Sequence, residues 1–214
     1  MVAKRLFDVA ISALVLLLMA PLLLLLALVV RLDSTGPVLY RQQRVGRHGA
    51  PFFIHKFRTM RDGAAGLPLT VGTDARITRA GAFLRRTRLD ELPQLFDVLR
   101  GAMSLVGPRP EVPQYAAHWP PALRDRVLAV RPGITDPVSL AHLDEAALLA
   151  AAADPEREYI ERILPAKALL AADYAENATL ATDLAVLWRT LCVLLGGARS
   201  TASKSPEDRE GRAG

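Results

Sequence analysis

Hydrophobic and polar positions divide the chain sharply. From Val9 to Val30 run 22 residues without a charge. As a helix this stretch is about 33 Å long at roughly 1.5 Å per residue, enough to enter the hydrocarbon of a bilayer. It is too long for a signal-peptide core and has no small-residue cleavage site before Arg31, so residues 1–32 read as a retained membrane anchor. Pro21, near its middle, removes a backbone donor, clashes with the Leu17 carbonyl and pushes Ala20 out of the α region. A break at Ala20-Pro21 is therefore expected. Lys4 and Arg5 precede the segment and Arg31, Arg41, Arg44 and Arg47 follow it, so the positive-inside rule favours both ends on the cytoplasmic side and a re-entrant helical hairpin. A kinked single span is the alternative, since membrane helices tolerate proline.

The rest of the chain reads as a small, helix-rich α/β body over residues 33–197. Asp33-Ser34-Thr35-Gly36-Pro37 is a turn signal, and Val38-Leu39-Tyr40 and Pro51-Phe52-Phe53-Ile54 are short strands around the loop Gly46-Arg47-His48-Gly49. Residues 61–76 have no periodicity and read as a loop, and Gly81 to Arg88 as a short helix. Leu92, Leu95, Phe96 and Leu99 form one apolar helix face, and Pro93 fits only in a first turn, so that helix begins almost on Asp90-Glu91. His142 to Ala153 is an Ala/Leu-rich helix, and Asp154-Pro155-Glu156 offers an N-cap, a first-turn proline and an acidic first turn for another. Leu180, Leu184, Leu187, Trp188, Leu191, Leu194 and Leu195 form an apolar stripe broken by Asp183 and Arg189, which suits an amphipathic helix on the body or in the membrane interface. Residues 198–214 have almost nothing to bury and read as a disordered tail.

Composition narrows the partners. Lys and Arg outnumber Asp and Glu by 27 to 22 in a chain that is 51% hydrophobic, a pairing that suits an anionic membrane surface or phosphate-bearing ligands. Cys192 is the one cysteine, which excludes an internal disulfide and a thiolate zinc cluster. His48, His55, His118 and His142 are scattered without metal-ligand spacing. There is no GxGxxG, Walker A, HExxH or CxxC pattern, so dinucleotide and zinc chemistry have no support.

The densest chemistry lies in Arg85-Arg86-Thr87-Arg88-Leu89-Asp90-Glu91-Leu92-Pro93-Gln94-Leu95. Two carboxylates stand at a helix start, where unpaired N–H groups favour anions, and three arginines precede them. Phosphoryl transfer needs a nucleophile, charge neutralisation and usually a divalent metal. Carboxylate oxygens can supply the first and ligate the last, so Asp90 and Glu91 are candidate catalytic and metal-binding residues. Simple helix capping is the other reading. Arg109, between two prolines in GAMSLVGPRPE, is presented to a phosphate with little freedom left to lose, or else is a solvated turn arginine. Lys56 and Arg58, at i and i+2 in IHKFRTM, share a strand face and form a second phosphate clamp or a basic strand edge. Arg131 in RPGIT sits in another rigid turn.

Taken together, KRLFDVAISALVLLL, the proline-broken anchor, VRLDSTGPVLYRQQRVGRHGAPFFIHKFRTM, TRAGAFLRRTRLDELPQLFDVLRGAMSLVGPRPE and RPGIT resemble the bacterial sugar transferase family of monotopic polyprenol-phosphate phosphoglycosyl transferases, over residues 4–136 in order. The resemblance implies a re-entrant helix-break-helix in the bacterial cytoplasmic (inner) membrane and an active site at its cytoplasmic face. It implies transfer of a phosphosugar from a UDP-sugar to polyprenyl (undecaprenyl) phosphate with release of UMP, through a covalent aspartyl intermediate, as a first membrane step of glycoconjugate or exopolysaccharide assembly. By motif, Asp90 is then the nucleophile and Glu91 helps hold Mg²⁺. Arg109, with Lys56, Arg58, Arg88 and Arg131, binds phosphates or nucleotide. Two features depart from many relatives. Ala20-Pro21 stands where they have Ser-Pro, and Asp136-Pro137-Val138-Ser139-Leu140 replaces a Gly-Trp-Ala-Gln-Val-like run, so the end of the site that meets sugar or base is expected to differ.

Two other classes compete. A catalytically silent membrane scaffold binding lipid phosphates gives no reason for the Asp90-Glu91 pair. A nucleic-acid binder would interleave aromatics with basic residues, as Phe52, Phe53 and Phe57 do with Lys56 and Arg58. Those aromatics have an adequate core role, so no nucleic-acid partner is expected. Membrane lipids are expected partners, and the oligomeric state, a homo-oligomer included, is left open.

Overall fold

The computed structural model describes residues 2–63, 74–138 and 145–196. The expected tail, His142 and most of the loop expected at 61–76 lie outside the described residues. The anchor forms one helix, α1 (Val2–Asp33), that runs through Pro21 without the expected break. Its Phe7, Ile11, Val15, Leu16, Leu23, Leu26 and Val30 pack on the body. Its other side is bare, with Leu17 and Leu24 each 74% exposed.

Both ends of α1 are tied to the same body. At its start, Arg5 donates to the carbonyls of Val98 (2.7 Å) and Leu99 (3.1 Å), and the buried Asp8 accepts from the Ser104 hydroxyl at 2.7 Å. Lys4 pairs with Asp183 and donates to the Val106 carbonyl at 3.1 Å. At its end, Arg58 donates to the carbonyls of Val30 (3.3 Å), Ser34 (2.6 Å) and Pro37. Two of these carbonyls lie at and just beyond the last turn of α1, where helical partners run out.

Strands β1 (Leu39–Val45) and β2 (Pro51–Phe57) form an antiparallel hairpin from Leu39↔Phe57 to Val45↔Pro51. Both are longer than the sequence indicated, and a 3-10 turn over Arg47–Gly49 closes them. Helix α2 (Arg79–Thr87) begins at Thr78, whose hydroxyl accepts from Gly81 N at 3.0 Å. Helix α3 (Gln94–Arg100) follows. Two segments read as rigid turns pair instead as short parallel strands, β3 (Ser104–Val106) and β4 (Gly133–Thr135). Their backbones nearly touch just past β3. A Cβ added at Gly133 would lie 2.1 Å from Gly107 N, so no larger residue fits there.

The remaining helices cover this frame. They are α4 (Pro113–Ala116), α5 (Pro121–Val127), α6 (Glu145–Ala151), α7 (Pro155–Glu158), α8 (Leu164–Asn177) and α9 (Leu180–Gly196). Asp154 caps α7 as its sequence suggests, accepting from Arg157 N at 3.0 Å. Tyr115, Trp119, Leu149, Tyr159, Leu164, Ala168 and Ala172 form a core cluster among them.

Helix α9 is turned opposite to the usual rule. Asp183, which breaks the stripe in the sequence, is buried against Lys4 and the Tyr174 hydroxyl (2.5 Å), and Val186 packs inward. Most of the stripe faces out, with Leu184, Trp188, Leu191 and Leu194 between 45% and 66% exposed, while Leu187 packs against the core. A helix in a water-soluble body buries its apolar face, so this orientation calls for a non-aqueous neighbour.

Candidate active site

The site is assembled where β2, the α2–α3 connection and the turn after β3 meet. Arg88 takes a left-handed conformation (φ 58°) that ends α2 and reverses the chain. A 3-10 turn over Leu89–Glu91 follows, and Leu92 and Pro93 continue in helical conformation into α3. Asp90 and Glu91 are thus presented on one short helical run, each only 7% exposed.

Glu91 is the electrostatic hub. Its Oε1 accepts from Lys56 Nζ at 2.6 Å, from the end of β2, and from Arg109 at 2.9 Å. Gly133 N donates to the Pro108 carbonyl (3.0 Å) and Arg44 donates to that of Pro110 (3.1 Å), fixing the turn that carries Arg109. Burial alone would raise the Glu91 carboxyl, but the charges and hydrogen bonds of Arg109 and Lys56 hold it well below the usual carboxylate range. Arg109 is raised by the Glu91 charge. Lys56 shares its anion with Arg109, and burial pulls it down to about 8, with Arg109 adding to the effect and Glu91 opposing it.

Asp90 is in the opposite situation. Its Oδ1 is buried and accepts no hydrogen bond among the described residues. Burial raises its carboxyl above the ordinary value and the Glu91 charge adds to this, while Lys56, Arg85 and Arg88 pull the other way. Two adjacent carboxylates are therefore differentiated. One is neutralised and held by two cations, and the other is a desolvated carboxyl with an open lone pair, an arrangement that favours nucleophilic attack once it is ionised.

Five expected residues converge here: Asp90, Glu91, Lys56, Arg109 and Arg88, whose exposed charge acts on Asp90. Two do not. Arg58 lies just past β2, where strand alternation has ended, and its guanidinium is spent on the end of α1. Arg131 donates through Nε to the Gly101 carbonyl (2.8 Å), at the far end of α3 from the carboxylates. Sequence reasoning missed Arg44, which supports the Arg109 turn, and Gln94, one helical turn after Asp90 and 3% exposed. The signal for Gln94 was its i+4 spacing from Asp90.

Among the described residues there is no group of three or more His, Cys, Asp or Glu side chains that could hold a metal alone. The Asp90 carboxylate, with its Oδ1 unpaired, fits magnesium beside Glu91 through one of its two oxygens and keeps the other free, since magnesium binds through one or two carboxylates and completes its shell with water and substrate phosphate.

The bacterial sugar transferase sequence profile matches residues 1–197. An undecaprenyl-phosphate glucose phosphotransferase of Komagataeibacter xylinus is 49% identical over 143 residues, 63% of this chain and 27% of the relative. A UDP-glucose:undecaprenyl-phosphate glucose-1-phosphate transferase of Caulobacter vibrioides is 46% identical over 145 residues, 62% of this chain and 51% of the relative. A UDP-N-acetylgalactosamine-undecaprenyl-phosphate N-acetylgalactosaminephosphotransferase of Aeromonas hydrophila is 36% identical over 200 residues, 91% of this chain and 44% of the relative. The chain thus spans about half or less of the length of these relatives. With the profile matched across all of the described residues, the chain belongs to the bacterial sugar transferase family.

Proposed function

We propose that this protein transfers a phosphosugar from a UDP-sugar to undecaprenyl phosphate at the cytoplasmic face of the bacterial inner membrane. The observation that carries the reading is the division of labour between Asp90, buried with an open oxygen, and Glu91, neutralised by Lys56 and Arg109. The relatives' names support the substrate class, and because they differ in sugar they leave the sugar to be found by assay.

In this mechanism an Asp90 carboxylate oxygen attacks the β-phosphorus of the UDP-sugar. The bond from that phosphorus to the bridging oxygen breaks, and its electron pair leaves with UMP. An oxygen of undecaprenyl phosphate then attacks the same phosphorus and Asp90 departs as carboxylate, giving the diphosphate-linked sugar. Magnesium held by Asp90 and Glu91 would neutralise diphosphate charge. Lys56, Arg109 and Arg88 supply positive charge around the transferred group, and Glu91 keeps the first two in place. UMP release from a panel of UDP-sugars, dependent on undecaprenyl phosphate for turnover and abolished by chelator, tests the reading.

The pH profile follows from the two perturbed groups. Activity needs Asp90 ionised, and its carboxyl is raised, so the acid limb of kcat/KM is expected above the ordinary carboxylate range. It also needs Lys56 charged, and that charge is lost as pH rises through about 8. Lys56→Arg keeps its charge and is expected to remove the alkaline limb. A limb that persists in this variant would belong to another group.

Residues 1–32 act in this reading as a membrane anchor whose two ends lie on one side of the bilayer, and residues 33–197 as the catalytic domain. Support comes from the two ends of α1, both bonded to one folded body and so on one side of a bilayer about 30 Å thick. The outward stripe of α9 suits the membrane interface. In a Cys192→Ser background, cysteines introduced at Val2 and at Thr35 should both resist an impermeant maleimide in intact spheroplasts. Labelling of one end alone would establish a span.

A further inference from the structure

We infer that Gln94 touches the substrate, its side-chain amide donating a hydrogen bond to a non-bridging oxygen of the phosphoryl group that Asp90 attacks. The inference rests on the phosphoryl-transfer reading above and adds a residue to it.

The backbone from Leu89 to Arg100 is one helical run, a 3-10 turn passing through Leu92 and Pro93 into α3. Asp90 and Gln94, at i and i+4, therefore share a face, and Glu91 flanks them. Gln94 is 3% exposed, and its Nε2 has no hydrogen-bond partner among the described residues. The Asp90 Oδ1 is also buried and also open. Buried polar atoms are nearly always paired, so an unmatched donor and an unmatched acceptor one turn apart need an explanation. They do not satisfy each other, because they are not hydrogen-bonded together.

A ligand that answers both must offer an electrophilic centre to the carboxylate and an acceptor to the amide. A phosphoryl group does this, with phosphorus for Asp90 and a non-bridging oxygen for Gln94. The neutrality of the amide matters. A lysine or arginine at this position would pair with the Asp90 carboxylate and quench its nucleophilicity, whereas an amide holds the phosphoryl oxygen and leaves the nucleophile free. Charge in the transition state grows on the non-bridging oxygens, so the bond strengthens as reaction proceeds.

The test uses the full chain in nanodiscs, with Gln94→Met and Gln94→Glu assayed for UMP release and for thermal unfolding. For Gln94→Met the expected loss in kcat is about 10²-fold, the scale of a single lost transition-state donor, with KM nearly unchanged. Its Tm should equal or exceed that of the wild type, since a buried amide without a partner is removed. Gln94→Glu should lose more at neutral pH, and its activity relative to wild type should recover as pH falls, because a protonated carboxyl again donates. A Gln94→Met protein with wild-type kcat overturns the inference. So does one whose kcat loss comes with a lowered Tm, the signature of a structural amide. If the wild type itself releases no UMP, the phosphoryl-transfer reading fails as well, whereas normal wild-type release beside an unaffected Gln94→Met fails this inference alone.

Discussion

Asp90→Asn is expected to abolish UMP release, by about 10⁴-fold or more, as removal of a covalent nucleophile does. The same substitution should not weaken the fold. Burial raises the Asp90 carboxyl, so the stability this group contributes is present at low pH and is lost as pH rises through its folded value. Where Asp90 is ionised it is a desolvated anion with an open Oδ1, and asparagine removes that charge without changing shape. Activity assay and thermal unfolding of one preparation therefore check the claim together. Residual turnover near the wild-type rate would refute the aspartyl intermediate. A lost fold would show instead that the carboxylate is structural.

Gly133→Val should be the most damaging substitution to stability. A Cβ at Gly133 would lie 2.1 Å from Gly107 N and 2.5 Å from Gly107 O, and both are backbone atoms that cannot rotate away. Accommodating it means separating β3 from β4, with an expected loss of about 4 kcal/mol or more. The bond from Gly133 N to Pro108 O would go too, loosening the turn that aims Arg109 at Glu91, so catalysis should fall even in molecules that remain folded. Gly49→Ala is the control. Gly49 has φ 77° but open space around it, so its cost should be only about 1 kcal/mol, from the left-handed backbone alone. Similar melting temperatures for the two variants would overturn this account.

These two sites also mark what the sequence could and could not disclose. The Asp90-Glu91 pair was legible because a helix start, a preceding run of arginines and Pro93 all act within a few residues. The hairpin, α2 and the Asp154 cap were legible for the same reason. The parallel pairing of Ser104–Val106 with Gly133–Thr135 was not, because strands of three residues have no period to read and their partners lie far apart in the chain. Lys56 and Arg58 looked equivalent by strand alternation, but the strand ends at Phe57 and the next guanidinium turns to the end of α1. The stripe on α9 was visible as a stripe. Its outward direction was not, because periodicity gathers apolar residues on one face without saying which way that face turns. Pro21 was expected to interrupt α1, and the surrounding apolar run instead continues as helix through it.

Helix α3 has 7 residues, about 10 Å at roughly 1.5 Å per residue. Arg5 of the anchor grips the carbonyls at one end of it, and the carboxylates precede the other. In the proposed reading the short helix is a spacer of fixed length between the anchor and the carboxylates. In that reading a thicker or thinner bilayer shifts the protein as a unit, with the carboxylates kept at a constant distance from the first turn of α1.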